Sequence, residues 1–216
     1  MTPPLLIDGA RRVLVLGCPG AGKTTFARRL GRASGLPVFH LDDLYWKENW
    51  TRMEPERWHG ALQELVKRSA WIIDGNYLES VALRAKQAEL IIIITVPAWV
   101  SLTRICKRTL AIRNGESTFL PAALRRQVDE GGDVPATHDL GRLMRKALSF
   151  NRNELPAMTR LSCDTSNCFC LILYQYGRVG KYIVKRHLKY MNSDRVTWMP
   201  TGKFLQTVVR NGEYRG

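Results

Sequence analysis

The sequence predicts an α/β fold in which helices connect the strands of a parallel sheet. Short apolar runs alternate along the chain with stretches of helical spacing, which is the pattern of such a fold. The run LIIIITV is apolar throughout, as expected for a strand buried on both faces of a sheet. With 216 residues and 45% hydrophobic content, the chain can form one domain with a sizeable core.

Five apolar runs are predicted to be the strands. They cover residues 12–17, 38–42, 70–74, 90–96 and 168–174. Helical spacing predicts helices over residues 22–33, 54–69, 98–112 and 140–151, with a last helix that begins in GRVGKYIVKRHLKYM. Turn formers and charges dominate residues 113–139, which we interpret as an irregular, mobile segment with some helix. A hairpin is expected near residues 200–203.

The first strand leads directly into a glycine-rich segment. Gly17, Gly22, Lys23 and Thr24 match the pattern G-x-x-x-x-G-K-[ST] in full. Glycines let the N–H groups of the loop turn towards phosphate oxygens, the lysine adds a charge, and the threonine hydroxyl can reach Mg²⁺. The residues expected to hold the phosphates are Gly17, Cys18, Pro19, Gly20, Ala21, Gly22, Lys23, Thr24 and Thr25.

This motif has one departure and one alternative interpretation. Pro19 has no N–H, so that position of the loop cannot donate to a phosphate. The alternative is an ordinary glycine-rich turn between a strand and a helix, with a lysine at the surface. The full match and the strand-to-helix context favour phosphate binding.

Carboxylates end two of the predicted strands. Asp42 and Asp43 occur in HLDDLYW, and Asp74 occurs in WIIDGNY. The carboxyl ends of neighbouring parallel strands converge on one edge of a sheet, so these side chains are expected beside the phosphate loop. Asp74 fits the carboxylate that serves Mg²⁺, Asp42 is a rival, and which one serves an acceptor hydroxyl stays open. One of them can instead cap the following helix.

Four motifs carry a resemblance to a known family. GCPGAGKT, HLDDLYW, WIIDGNY and RICKR resemble the P-loop kinases of the adenylate kinase-like group, most closely the bacterial proteins labelled DNA topology modulation proteins. The resemblance covers residues from about 12 to 191, and its specific part is HLDxLYW followed by WIxDGNY. It implies a three-layer P-loop NTPase fold with a five-stranded parallel sheet of order 2-3-1-4-5. It also implies ATP and Mg²⁺, and a basic helical lid between the fourth and fifth strands.

The predicted organisation follows from the resemblance. A P-loop kinase-like domain covers residues 1–192, its lid covers about 104–139, and a tail of unassigned role covers 193–216. Spacing puts Arg104, Lys107 and Arg108 on one face of a helix. The resemblance implies that Arg104 and Arg108 close over the transferred phosphoryl group, although a solvated basic face is the alternative. Further cations that can join on closure are Arg113, Arg125 and Arg126.

An acceptor pocket is expected after the second strand, where several aromatic residues occur. They are Tyr45, Trp46, Trp50 and Trp58. Their flat surfaces suit a nucleobase or another planar acceptor, and Asn76 and Tyr77 offer hydrogen bonds. The alternative is that the aromatic side chains only cover the sheet edge, which we favour for Trp58. His40 is interpreted as a core residue rather than a base.

Composition narrows the classes of function. A formal net charge of +14 and a pI of about 10.0 favour polyanionic partners such as nucleotides or nucleic acid. No apolar run approaches the roughly 20 residues of a membrane helix, and the N-terminus lacks a signal-peptide pattern, so a cytoplasmic protein without membrane contact is expected. The five cysteines follow neither a disulfide framework nor a zinc-site spacing.

Three functions are compatible with these residues. The first is an ATP-dependent kinase that transfers the γ-phosphoryl group to a small-molecule or nucleotide acceptor, with Thr24 and Asp74 at Mg²⁺. Its expected catalytic residues are Lys23, Asp42, Asp74, Arg104 and Arg108. The second is a nucleotide-binding regulator with weak ATPase activity that acts on DNA through its basic surface, including the last predicted helix. The third, an ATP-hydrolysing switch, ranks last because no arginine finger or second motor-like motif is found.

Overall fold

A computed structural model of the chain describes residues 10–133, 140–165, 169–176, 179–185 and 194–200. Seven strands form a single sheet within these residues. They are β1 (Arg12–Gly17), β2 (Val38–His40), β3 (Trp71–Asp74), β4 (Leu90–Thr95), β5 (Phe169–Tyr176), β6 (Val179–Lys185) and β7 (Asp194–Pro200). Their order across the sheet is β2-β3-β1-β4-β5-β6-β7.

The first five strands run parallel to one another, in the order 2-3-1-4-5. β1 lies at the centre, where Val15 pairs with Asp74 on one side and with Ile92 on the other. The predicted α/β fold is therefore confirmed, and with the glycine-rich turn after β1 it is a three-layer P-loop NTPase fold. The order also places the carboxyl ends of β1, β2 and β3 side by side.

Helices connect these strands and cover the sheet. In the described residues they are α1 (Lys23–Ser34), α2 (Leu41–Tyr45), α3 (Pro55–Val66), α4 (Val81–Gln87), α5 (Ala98–Arg113), α6 (Ala122–Asp129) and α7 (Leu140–Thr165). α1 packs on β1, β2 and β3, while α4 and α5 pack on α7. Apolar spacing explains the packing: in α3 the buried side chains are Trp58, Leu62, Leu65 and Val66, on one face of the helix.

The core lies along the central strands. Residues 13–16 of β1 and 90–93 of β4 are fully buried, as the continuous apolar runs predict. Each such side chain stabilises the fold by about 1.5–3 kcal/mol through burial, so the centre of the sheet is its most strongly held part. A second, smaller cluster consists of Ile112, Leu120 and Leu124, with Trp50 and Val128 packed against it.

The end of β2 differs from the prediction. The strand ends at His40, and Asp42 and Asp43 lie in the first turn of α2 rather than on the strand. Acidic side chains are favoured near a helix N-terminus, where the backbone N–H groups carry partial positive charge, and this favours an early helix start. Asp42 therefore reaches the sheet edge from a helix, whereas Asp74 is the last residue of β3.

The prediction of a last helix is wrong over Val179–Lys185, and the rest of that predicted helix lies outside the described residues. Residues Val179–Lys185 form β6, which pairs antiparallel with β5, and β7 pairs antiparallel with β6. The β-branched and aromatic residues of VGKYIVK suit a strand, and β5 supplies a main-chain partner that helical spacing cannot reveal. The helix predicted over residues 140–151 also continues to Thr165. The hairpin expected near residues 200–203 lies at and beyond the end of the described residues.

The segment between α5 and α7 contains more helix than its composition suggests. A short 3₁₀ turn covers Ser117–Phe119, and α6 follows over Ala122–Asp129. We call residues 114–133 the lid segment. In the part of the chain that is described, no helix has both the length and the apolarity needed to cross a membrane.

Candidate functional site

The glycine-rich turn after β1 begins with a close backbone contact. Gly17 has a φ of +143°, and a Cβ there would lie 1.9 Å from the carbonyl oxygen of Ile94. Only glycine lets the end of β1 run this close to β4. The next residue continues the contact, because the Cys18 N–H donates to Ile94 O at 3.0 Å. The start of the loop is thus fixed to the most deeply buried part of the sheet.

Two side chains of α5 hold the middle of the loop. The buried hydroxyl of Ser101 donates to the carbonyl oxygen of Pro19. A guanidinium N–H of Arg104 donates to Gly20 O at 3.2 Å. Arg104, expected in the lid, therefore contacts the loop itself. Cys18 and Ala21 are buried beneath the loop, and Thr25 is exposed in the first turn of α1.

Lys23 folds back over the loop that precedes it. Its ammonium donates to Gly17 O and to Cys18 O, each at 2.9 Å. Burial lowers the pKa of Lys23, while the negative charges of Asp74 and Asp42 act in the opposite direction. The Lys23 ammonium is thus poorly solvated and donates to two neutral carbonyl oxygens. A charged phosphate oxygen would be a stronger hydrogen-bond partner for it.

Asp74 and Thr24 meet beside the loop. The Thr24 hydroxyl donates to Oδ2 of Asp74 at 2.8 Å, and the Asp74 side chain is 5% exposed. Oδ1 of Asp74 is buried, and no donor among the described residues reaches it. A buried carboxylate oxygen without a partner is costly, and Mg²⁺ or one of its waters would satisfy it. The residues present therefore fit a magnesium ion.

Asp42 has a different set of partners. The Tyr77 hydroxyl donates to its Oδ1 at 2.8 Å, and part of the side chain is open to solvent. Desolvation by the surrounding protein raises the pKa of Asp42, a shift that the Tyr77 hydrogen bond opposes and the charge of Asp74 reinforces. The pKa of Tyr77 is also raised, first by burial and then by Asp42, so its hydroxyl stays a donor.

Arg108 adds a further charged group beside Lys23 and Asp42, and we call the space next to these three side chains the cleft. Burial lowers the pKa of Arg108 and the charge of Asp42 opposes that shift, so the guanidinium stays a cation at neutral pH. Lys107 is exposed instead. The cations of the lid segment and of the end of α5 do not join this cluster: Arg113 and Arg126 are exposed, and Arg125 donates to Thr118 O and Leu120 O.

The segment after β3 is held by two interactions that the sequence did not predict. The Asn76 side chain accepts from the Gly17 N–H at 3.1 Å and donates to Gly17 O at 2.8 Å, as a neighbouring strand would. Arg84 is fully buried, and its guanidinium donates to the carbonyl oxygens of Gly75, Asn76, Tyr77 and Ser80 at 2.5–3.2 Å. Burial lowers the pKa of Arg84 to about 10.

The aromatic residues after β2 form one contiguous group beside Asp42. Tyr45 lies with its ring centroid 5.0 Å from Trp46, 5.0 Å from Trp58 and 4.8 Å from Tyr77. Trp58 is buried at 6% exposure, which fits its interpretation as a side chain that covers the sheet edge. Trp50 packs against the small cluster of the lid segment. Asp43 also contacts the lid segment, where its Oδ1 accepts a hydrogen bond from the Ala122 N–H at 2.8 Å.

Comparison with known proteins gives distant structural similarities. Shikimate kinase from Acinetobacter baumannii is 19% identical, with 72% of this chain and 82% of that chain covered and a TM-score of 0.42. A sugar kinase from Janibacter is 19% identical, with coverage of 68% and 97% and a TM-score of 0.36. A gluconokinase from Sinorhizobium meliloti is 18% identical, with coverage of 71% and 94% and a TM-score of 0.33. No protein-family model and no curated protein matches the chain.

Proposed function

We propose that the chain is an ATP- and Mg²⁺-dependent phosphotransferase. One observation supports this above all: Thr24 donates to one oxygen of Asp74 beside the glycine-rich loop, and the other, buried oxygen has no partner among the described residues. A plain glycine-rich turn would have no reason to carry such an oxygen. Thr24 and Asp74 would hold the ion, and Mg²⁺ supplies charge that neutralises the oxygens of the transferred phosphoryl group.

The three cations around the loop have different proposed roles. Lys23 leaves the carbonyls of Gly17 and Cys18 and binds the β- and γ-phosphate oxygens, while Gly17 O keeps its bond from Asn76. Arg104 holds the loop in shape through Gly20 O. Arg108, near Asp42 and Lys23, is the cation that faces the transferred group.

Of the two carboxylates that the sequence leaves as alternatives, Asp42 is proposed to serve the acceptor. Its contact is with Tyr77 and its neighbours are the aromatic side chains, whereas Asp74 is occupied by Thr24. A raised pKa suits a carboxylate that takes a proton from an acceptor hydroxyl. The acceptor is a small molecule or a nucleotide. DNA binding is not proposed, because net charge alone does not select DNA among polyanions and residues Val179–Lys185 of the predicted basic helix form strand β6.

Titration calorimetry with a non-hydrolysable ATP analogue tests the nucleotide site directly. We expect magnesium-dependent binding to the unaltered protein and a loss of at least about tenfold in Lys23→Ala, since a charge-assisted phosphate contact is removed. Lys86→Ala is the matched control, because Lys86 is an exposed lysine on α4. Equal affinity in Lys23→Ala and Lys86→Ala would contradict the proposal.

Transfer itself is tested with ATP labelled at the γ-phosphate and a panel of nucleosides, nucleoside monophosphates and small hydroxyl compounds. Labelled product that is lost in Asp42→Asn, together with unchanged binding of the ATP analogue, would support the division of roles between Asp42 and Asp74. Binding lost to the same extent as transfer would assign Asp42 to the nucleotide instead.

A further inference from the structure

His40 lies beside Asp74, although its sequence context indicated only a core residue. The register of β2 and β3 pairs His40 directly with Asp74, so the two side chains leave the same face of neighbouring strands. His40 Nδ1 lies 3.1 Å from Oδ2 of Asp74, and the two side chains are 14% and 5% exposed. This contact therefore follows from the sheet itself and does not depend on a surface loop.

Both polar contacts of Asp74 fall on the same oxygen. Oδ2 receives the Thr24 hydroxyl and lies at hydrogen-bond distance from His40, whereas Oδ1 is buried without a partner in the described residues. Two donors on one oxygen fix the plane of the carboxylate. They also leave the second oxygen free for a metal ion or its bound water.

Arg28 on α1 sets which nitrogen of His40 carries the proton. Its Nε–H points at His40 Nε2 over 3.3 Å. An arginine can only donate, so Nε2 has to accept, and the proton of the neutral ring then lies on Nδ1. With that tautomer Nδ1–H donates to Asp74 Oδ2, which is the arrangement that a carboxylate ligand needs.

We propose that His40 is a positioning residue for the carboxylate of Asp74 and that Arg28 fixes the His40 tautomer. The proposal rests on the proposed function, because it assigns to Asp74 the magnesium of a bound nucleotide. His40 touches neither nucleotide nor acceptor and acts only through Asp74. It would raise the affinity for the magnesium complex of a nucleotide without changing the affinity for the nucleotide alone.

The test is the affinity of a non-hydrolysable ATP analogue, measured by calorimetry once with Mg²⁺ and once with EDTA. In His40→Leu we expect the affinity with Mg²⁺ to fall about 10- to 100-fold, the usual effect of removing such a supporting contact, and the affinity in EDTA to stay unchanged. His40→Asn keeps an N–H donor near the position of Nδ1 and should recover most of the loss. A merely structural role for His40 would lower both affinities together.

Arg28 and Arg29 provide a matched pair that avoids the buried position. Both are exposed arginines in α1, but only Arg28 contacts His40. Arg28→Ala should show a smaller loss, confined to Mg²⁺, and Arg29→Ala should show none. This pair tests the role of Arg28 even where His40→Leu fails to fold.

Different outcomes would contradict the role of His40 and the proposed function. Absence of magnesium-dependent binding in the unaltered protein would overturn the proposed function. Magnesium-dependent binding that persists unchanged in His40→Leu would overturn the role of His40 alone. Equal effects of Arg28→Ala and Arg29→Ala would overturn the role of Arg28.

Discussion

The phosphate loop and the lid segment differ in what holds them in place. The loop, residues 17–22, is tied to β4 through Cys18, to α5 through Pro19 and Gly20, and to the end of β3 through Asn76. The lid segment instead packs around a cluster of three buried side chains, separate from the main core. The geometry that would receive phosphates is thus built into the sheet, whereas the position of the lid depends on few contacts.

Several of those contacts come from residues 41–53, which follow β2 and which we call the acceptor segment after the proposed role of Asp42, and others come from Ile112 of α5. Asn49 exchanges two hydrogen bonds with the side chain of Gln127, and Asp43 accepts from the N–H of Ala122. Asn49 and Trp50 have φ values of +53° and +55°, a left-handed conformation that asparagine adopts readily but that costs roughly 1–2 kcal/mol for a residue such as tryptophan. This backbone conformation occurs where the acceptor segment contacts the lid segment, so we expect the positions of the two segments to be coupled.

The largest effect is expected where the loop region is most tightly held. Arg84→Met removes the guanidinium donors to the carbonyls of Gly75 and Asn76 and leaves both without a hydrogen bond from another described residue, whereas Tyr77 O keeps its bonds from the N–H and hydroxyl of Ser80. We expect a loss of at least about 3 kcal/mol in the free energy of unfolding. Denaturant unfolding measures it, with Lys86→Met on the exposed face of α4 as control. Similar unfolding free energies for both variants would contradict the view that Arg84 holds this segment.

A second substitution separates the two regions directly. Leu124 is fully buried in the small cluster, so Leu124→Ala should cost about 2–3 kcal/mol, but mainly in the local stability of residues 114–133. Leu62→Ala, in the main core, should cost a similar amount globally. Hydrogen exchange read residue by residue distinguishes the two. Faster exchange in β1 and β4 of Leu124→Ala would show that the lid and the main core are one cooperative unit.

Most of the fold was predictable because its signals are local. β1, β4 and the phosphate loop follow from continuous apolar runs and a fixed glycine spacing. The role of Arg84 was not predictable, since VALRAKQ gives no sign that a guanidinium is buried under converging carbonyls. The contact of His40 with Asp74 depends on strand register, and β6 depends on pairing with β5, both of which are set by tertiary structure. The predicted roles of the site residues stay predictions.

Asp42 is expected to make the stability depend on pH, with an effect smaller than those of Arg84→Met and Leu124→Ala. Its pKa is raised in the folded protein above its usual value of 3.8, so ionisation is disfavoured there. The stability that the protonated group contributes is therefore lost as the pH rises through the folded-state pKa. Asp42→Asn should match the unaltered protein below pH 3.8 and be the more stable of the two near pH 7. Melting temperatures from pH 3 to 7 measure the difference, and a variant that loses stability relative to its parent on this path would contradict it.

The smallest effect is expected from Gln127, and it addresses the coupling between lid and acceptor segment. Gln127→Ala removes both hydrogen bonds to Asn49, which are partly exposed and together contribute about 1 kcal/mol. Because the Gln127 side chain bonds to Asn49 whereas Arg104 bonds to the loop at Gly20 O, we expect weaker acceptor binding and unchanged binding of the ATP analogue. The KM for the acceptor identified by the transfer screen and the calorimetric affinity measure the two.

Glu130→Ala, an exposed change just beyond α6, is the control for effects of the lid surface in general. If Gln127→Ala weakened nucleotide and acceptor binding equally, the lid would be coupled to the phosphate loop as well. The contrast between a fixed loop and a lid positioned from the acceptor side would then fail. A change in the acceptor KM alone would mean that the Asn49–Gln127 hydrogen bonds affect acceptor binding and not nucleotide binding. This is expected because the hydrogen bonds that fix the loop come from β4, α5 and Asn76 instead.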